Sequence, residues 1–152
     1  MKSPLFISFA LVVLLLAGCG APAEVSSDTM TNVLSSSNMS FADHNLNPSE
    51  AGSFIADNSG NENFAVLDVR TPEERTGGCI KNSLNIDFYE ASFANELSKL
   101  DKAKTYLVYC RSGRRSGESM KMMEGLGFEN VYNLDGGIGA WQENGGDLAG
   151  TC

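Results

Sequence analysis

Three short apolar runs, at 64–69, 105–109 and 131–134, are separated by stretches with helical spacing, and none alternates regularly between polar and apolar residues. A strand without alternation is buried on both faces, so its sheet needs helices on both sides and its neighbours run parallel. The expected architecture is therefore α/β, a central, mostly parallel five-stranded sheet with helices on both faces. Ser83 to Ile86 reads as a fourth, short strand, and a weaker edge-strand signal lies near Met39 to Ala42.

The helices announce their own starts. Asn47-Pro48-Ser49-Glu50 supplies a cap, a proline at the first helical position and an acid three residues after the cap, and Thr71-Pro72-Glu73-Glu74 repeats the pattern. The first opens a helix with Ala51, Phe54 and Ile55 on one face. Further helices are expected over 90–100, with Phe93, Leu97 and Leu100 inward, over 116–126, closed by Gly127, and over 139–144, containing Trp141.

In parallel sheets, sites form at the carboxyl ends of strands. Cys110 stands at such an end, as do Asp68 and Arg70. Cys110-Arg111-Ser112-Gly113-Arg114-Arg115 lies between a strand and a helix N-terminus, so the thiol faces unpaired backbone N–H groups, the positive end of a helix dipole and three guanidinium groups. All of these favour the thiolate, the nucleophilic form. The reading requires that Cys110 ionise more readily than free cysteine and that solvent reach it.

The two ends of the chain read differently. Lys2 and the apolar stretch Leu5 to Ala17 have the proportions of a secretory signal and fall short of the roughly 20 residues of a membrane span. The stretch closes on Leu16-Ala17-Gly18-Cys19, which resembles the bacterial lipoprotein cleavage box. That resemblance implies removal of residues 1–18, acylation of Cys19 and anchorage on the periplasmic side of the cell envelope. Gly20 after the cysteine implies the outer membrane in a Gram-negative cell. Residues 19–46, rich in Ser and Asn, read as a flexible tether, and 47–152 as the folded domain. The net charge of −8 argues against nucleic acid as partner. The membrane contact would come from the lipid on Cys19.

Three segments carry a family resemblance: 67–74 (Leu-Asp-Val-Arg-Thr-Pro-Glu-Glu), the 110–115 loop, and 131–137 (Val-Tyr-Asn-Leu-Asp-Gly-Gly) with Trp141. Together, in this order, they resemble a single-domain rhodanese over about 48–141, in layout nearest the secreted phage-shock type. The resemblance implies a rhodanese-like fold and sulfane-sulfur transfer. Cys110 would attack a donor such as thiosulfate, hold one sulfur as a persulfide and pass it to cyanide or a thiol. Arg111, Ser112, Gly113, Arg114 and Arg115 would form the substrate cradle, with one or two arginines on substrate and another bound back into the fold. Asp68 and Arg70 would brace the loop region through ion pairs. No cofactor is implied. One histidine and no closely spaced cysteine pair give no metal site.

Many rhodaneses carry Gly-His-Ile where this chain has Gly78-Cys79-Ile80. With Cys19 acylated, Cys79, Cys110 and Cys152 remain. Either Cys79 pairs with Cys152, or both stay reduced, or one of them resolves an oxidised Cys110. Two other functions stay open: a sulfur-carrier or interaction module without turnover, and a rhodanese-fold phosphatase or arsenate reductase. The latter needs arginine six positions after the cysteine, where Ser116 stands. His44 reads as a surface or capping residue, and Gly136 and Gly137 as backbone geometry near the site. Trp141, Phe128, Met120, Met122 and Met123 read as packing.

Overall fold

The computed structural model describes residues 41–150 and 152. The signal segment, Cys19 and most of the expected tether lie outside the described residues. Five strands form one all-parallel sheet: β1 (Asn45–Leu46), β2 (Phe64–Asp68), β3 (Leu84–Asn85), β4 (Thr105–Tyr109) and β5 (Asn130–Leu134), in the order β1-β5-β4-β2-β3. The helices are α1 (Pro48–Asp57), α2 (Pro72–Arg75), α3 (Phe93–Ser98), α4 (Arg114–Gly125) and α5 (Gly137–Glu143). No helix among the described residues is long and apolar enough to cross a membrane.

β4 shows why both faces need covering. Tyr106, Val108 and Cys110 join the core with Phe93, Leu97, Met120 and Met123 from α3 and α4. Leu107 and Tyr109 join the opposite core with Ala51, Ile138 and Trp141 from α1 and α5. Successive side chains on a strand point to opposite faces, so a continuous apolar run feeds two cores at once.

Both Pro-containing caps form capping boxes, Asn47 with Glu50 and Thr71 with Glu74. α4 ends where Gly127, at φ 83°, lets its own N–H reach Glu124 O and the Phe128 N–H reach Met123 O. The edge strand falls at 45–46 and pairs with β5, a few residues after the 39–42 segment that suggested it. Phe41 is buried in the α3–α4 core, so the folded unit takes in residues that the sequence reading left in the tether. His44 stacks on Phe41 and Tyr132, and its Nδ1 lies 3.0 Å from Val131 O. That places it as packing within the fold. Met122 departs from the expected packing cluster and is exposed.

The chain after α5 returns across the fold. Gly146 N–H donates to Trp141 O, and Trp141 Nε1 donates to Asp147 O. Ala149 and Cys79 exchange both backbone hydrogen bonds, and Cys79 is joined to Cys152 by a disulfide with Cα atoms 6.0 Å apart. Closing so long a loop restricts the unfolded chain, and reduction is expected to cost about 2–4 kcal/mol. A thermal melt with and without reductant checks this. An unchanged melting temperature would show that the bond adds nothing.

Candidate active site

Because β2 and β4 run parallel with Asp68 opposite Tyr109, the ends of the two strands sit side by side. Cys110 follows β4, the central strand of the sheet, and α4 begins at Arg114. The helix therefore starts two residues earlier than its sequence pattern suggested, which puts Arg114 and Arg115 in its first turn. Gly113 at φ 87° makes the bend. The Gly113 N–H donates to Cys110 Sγ at 3.2 Å, and the Ser116 hydroxyl donates to it at 3.5 Å.

Burial pushes the Cys110 thiol up. Hydrogen bonds from the Ser116 hydroxyl and from the backbone N–H groups of Ser116, Ser112 and Gly113 outweigh that effect, and the thiol lies below its ordinary range. The expected backbone N–H groups are among the causes, joined by the Ser116 hydroxyl, and these hydrogen bonds stand ahead of the arginine charges. The hydroxyl of Ser116 has no signal in the sequence, which marks this residue only as the start of the helix and as the position where a phosphatase would carry arginine. A rate of sulfur uptake that follows the thiolate should therefore level off at lower pH than for a free thiol. Ser116→Ala is expected to move that midpoint upward, and a stopped-flow pH profile with thiosulfate measures it.

The expected solvent-facing thiol is not what the structure has. Cys110 is fully buried, enclosed by the same loop that stabilises its charge. The Cys110 side chain packs in the core with Phe93, Leu97, Met120 and Met123, while α5 meets the backbone of the loop from the opposite face of the sheet. A Cβ on Gly137, at φ 60°, would lie 2.6 Å from Cys110 O and from the carbonyl carbon of Arg111. Only a glycine lets α5 approach this near. Ile138 N–H then holds Cys110 O at 2.9 Å, and Gly139 N–H holds Arg111 O at 3.2 Å.

The three loop arginines have separate fates. Of the cradle arginines, Arg115 is the one bound back into the fold, a choice the sequence leaves open. Both its terminal nitrogens donate to the Glu74 carboxylate at 2.7 Å, and its guanidinium lies over the Tyr89 ring. That contact holds Glu74 below its usual carboxylate range, against its partial burial. Arg114 forms an exposed ion pair with Glu118 one turn along α4. Arg111 and Ser112 are exposed, and the Arg111 side chain has no hydrogen-bond or ion-pair partner among the described residues.

Asp68 and Arg70 form a buried ion pair at 2.8 Å. Arg75, which the sequence reading did not single out, adds a second guanidinium at 3.0 Å from Asp68. Arg70 also donates to Glu74 O and Gly78 O, so the pair ties β2 to the whole segment after it. Glu74 was legible only as a cap. Its contact to Arg115 spans 41 positions and leaves no local pattern. Among the described residues no cluster of His, Cys, Asp or Glu could hold a metal ion.

A parallel α/β sheet with a free, amide-cradled cysteine at the end of its central strand defines the class of this protein. Residues 53–144 match the rhodanese-like domain, and the chain belongs to that family. It is 33% identical over 84 residues to a sulfurtransferase of Allochromatium vinosum, covering 55% of this chain and 77% of the relative. It is 32% identical over 81 residues to a thiosulfate sulfurtransferase of Pseudomonas entomophila, covering 53% and 72%. The structure of a rhodanese-related protein from Thermoplasma volcanium superposes with a TM-score of 0.59 at 30% identity, over 70% of this chain and 98% of that one.

Proposed function

We propose that this protein is a sulfurtransferase that moves sulfane sulfur from a donor such as thiosulfate to a thiophilic acceptor, cyanide or a thiol, through a persulfide on Cys110. The Cys110 thiolate attacks the outer sulfur of thiosulfate. A bond forms between Sγ and that sulfur, the donor's S–S bond breaks, and sulfite leaves with the electron pair. The acceptor then attacks the outer sulfur, and the electron pair of the breaking Sγ–S bond returns to Cys110.

The observation that carries the reading is the convergence of backbone N–H groups and the Ser116 hydroxyl on the Cys110 thiol, the one free thiol among the described residues. Donors held in place by the fold stabilise a sulfur anion without rearranging. Since Sγ is enclosed, the outer sulfur, about 2 Å further out, is the atom an acceptor meets. Of the two requirements set by the sequence, easier ionisation is met and solvent access is not, so donor entry requires part of the 111–113 segment to give way. At the position where the phosphatase reading needs arginine, Ser116 bonds to the sulfur instead, and that favours sulfur transfer.

Placement in the cell envelope, with the lipid on Cys19 and the layout of the secreted phage-shock type, is part of the same proposal. What supports the envelope is the Cys79–Cys152 bond, since disulfides persist in oxidising compartments. The test is the intact mass of the full chain in detergent after incubation with thiosulfate, then with cyanide. One added sulfur that cyanide removes, with repeated turnover, is the expected result. A sulfur gained without turnover would make the protein a carrier, and no gain at all would end the proposal.

A further inference from the structure

The Cys79–Cys152 bond joins the two elements that hold the cysteine loop. We propose that this bond is a redox-sensitive latch: closed, it restrains the 111–113 segment around Cys110, and its reduction by a dithiol lets that segment open and admit a donor to the sulfur. The inference rests on Cys110 as the reacting thiol and does not depend on which donor or acceptor it serves.

One half of the bond belongs to the segment after β2. Cys79 follows Gly78, whose carbonyl accepts from Arg70 at 2.8 Å, and Arg70 also donates to Glu74 O. The Glu74 carboxylate in turn grips Arg115, in the first turn of α4, with two hydrogen bonds of 2.7 Å. The other half belongs to the chain that leaves α5. Gly146 N–H donates to Trp141 O, Trp141 Nε1 donates to Asp147 O, and Ala149 pairs with Cys79. At its opposite end α5 holds the loop backbone, with Ile138 N–H on Cys110 O and Gly139 N–H on Arg111 O. The loop is thus fastened at Arg115 by the segment that carries Cys79, and at its first two carbonyls by the helix whose tail carries Cys152. The disulfide is the covalent tie between the two fasteners.

The tie can be opened from outside. Cys79 is fully buried whereas Cys152 is exposed, so a reductant thiolate attacks Cys152 Sγ. A mixed disulfide forms there, the Cys79–Cys152 bond breaks, and Cys79 leaves as thiolate and takes up a proton given by the dithiol. The second thiolate of the reductant then attacks its own sulfur in the mixed disulfide. The dithiol ends as a disulfide, and Cys152 leaves and is protonated in the same way. What still holds the tail is the pairing of Cys79 with Ala149, the Trp141–Asp147 hydrogen bond and Leu148, whose Cβ stands 3.2 Å from where a Cβ on Gly78 would lie. Hydrogen bonds of this kind contribute about 1 kcal/mol each, so local opening of the tail and the end of α5 becomes much easier. The same contacts bring Cys152 back beside Cys79, so the latch can close again. The hydrogen bonds on Cys110 Sγ come from the loop and α4 rather than from the tail, and the closed loop therefore favours the thiolate in both redox states.

The experiment follows Cys110 in the full chain in detergent. Alkylation of Cys110 by iodoacetamide is timed by peptide mass across a pH series. Three forms are compared: the parent, the parent reduced with dithiothreitol and freed of it without air, and Cys152→Ser, which breaks the bond and leaves buried Cys79 in place. The plateau rate should rise about fivefold or more in both open forms, the lower end of coupling between separate sites. The midpoint of the pH profile should not move, and reoxidation of the reduced parent should restore the slow rate. Trp141, the single tryptophan of the chain, should shift its emission to longer wavelength in both open forms as Asp147 withdraws. Sulfur uptake from thiosulfate should be faster in Cys152→Ser in the same proportion as alkylation. Equal alkylation rates in the three forms overturn the latch. A faster rate with the midpoint of free cysteine also overturns it, because that reports loss of the cradle instead of opening of the segment. Faster alkylation with unchanged sulfur uptake overturns the link to donor entry. Iodoacetamide needs no sulfur donor, so a parent that gains no sulfur from thiosulfate removes the persulfide reading while alkylation still decides the latch.

Discussion

Cys110→Ser is expected to lower thiosulfate-to-cyanide turnover by at least about 10³-fold, or about 4 kcal/mol of barrier. A serine hydroxyl at this position can accept the hydrogen bonds of Gly113 and Ser116 that the sulfur accepts now. The fold should therefore survive, and a melt of the variant should lie close to that of the parent. What the oxygen cannot do is ionise near neutral pH or hold a sulfane sulfur by a stable bond. Steady-state rates together with intact mass after thiosulfate provide the check. Turnover within about tenfold of the parent, from a variant that gains no sulfur, would falsify the persulfide and leave the cradle without its assigned purpose.

Asp68→Ala is expected to cost about 3–5 kcal/mol of stability, the usual penalty for breaking a buried pair from one side. The Asp68 carboxylate is fully buried and accepts from Nε and a terminal nitrogen of Arg70, from the Arg70 backbone N–H and from Arg75. Its removal strands two guanidiniums whose side chains are 6% and 10% exposed. For a domain of this size the loss should exceed about 10 °C in melting temperature. Sulfur loading should weaken as well, since Arg70 positions Gly78 and the Glu74 backbone, and Glu74 in turn holds Arg115. A melting temperature within a few degrees of the parent would show that these arginines find water or other acceptors, and the bracing role would fail.

The elements and their order were legible because their signals are local. Asn47-Pro48 and Thr71-Pro72 cap α1 and α2 through hydrogen bonds to residues three positions away. The unalternating run of β4 reflects burial on two faces. Shorter elements were placed less well. α3 occupies 93–98 within a stretch that looked helical from 90 to 100, and the edge strand settled at 45–46. A two-residue strand has almost no pattern of its own, and pairing with β5 selects it.

The cysteine and its loop were visible for the same reason, since a strand, a thiol and a helix start are neighbours in the chain. Three features of the site were not. The enclosure of Cys110 depends on α3 packing over its side chain with Phe93 and Leu97, which precede it in the chain by more than ten residues. The choice among Arg111, Arg114 and Arg115 depends on which carboxylate each meets, and Glu74 reaches Arg115 only when α2 packs beside α4. The Cys79–Cys152 bond depends on the tail returning along Cys79. The linear chain on its own determined the sequence of strands and caps and the position of the thiol, because hydrogen bonding and burial within a few residues govern those. Tertiary structure alone decided which charges cancel, which remain available and how deeply the sulfur lies, because Coulomb interactions and close packing act between groups that only the folded chain brings together.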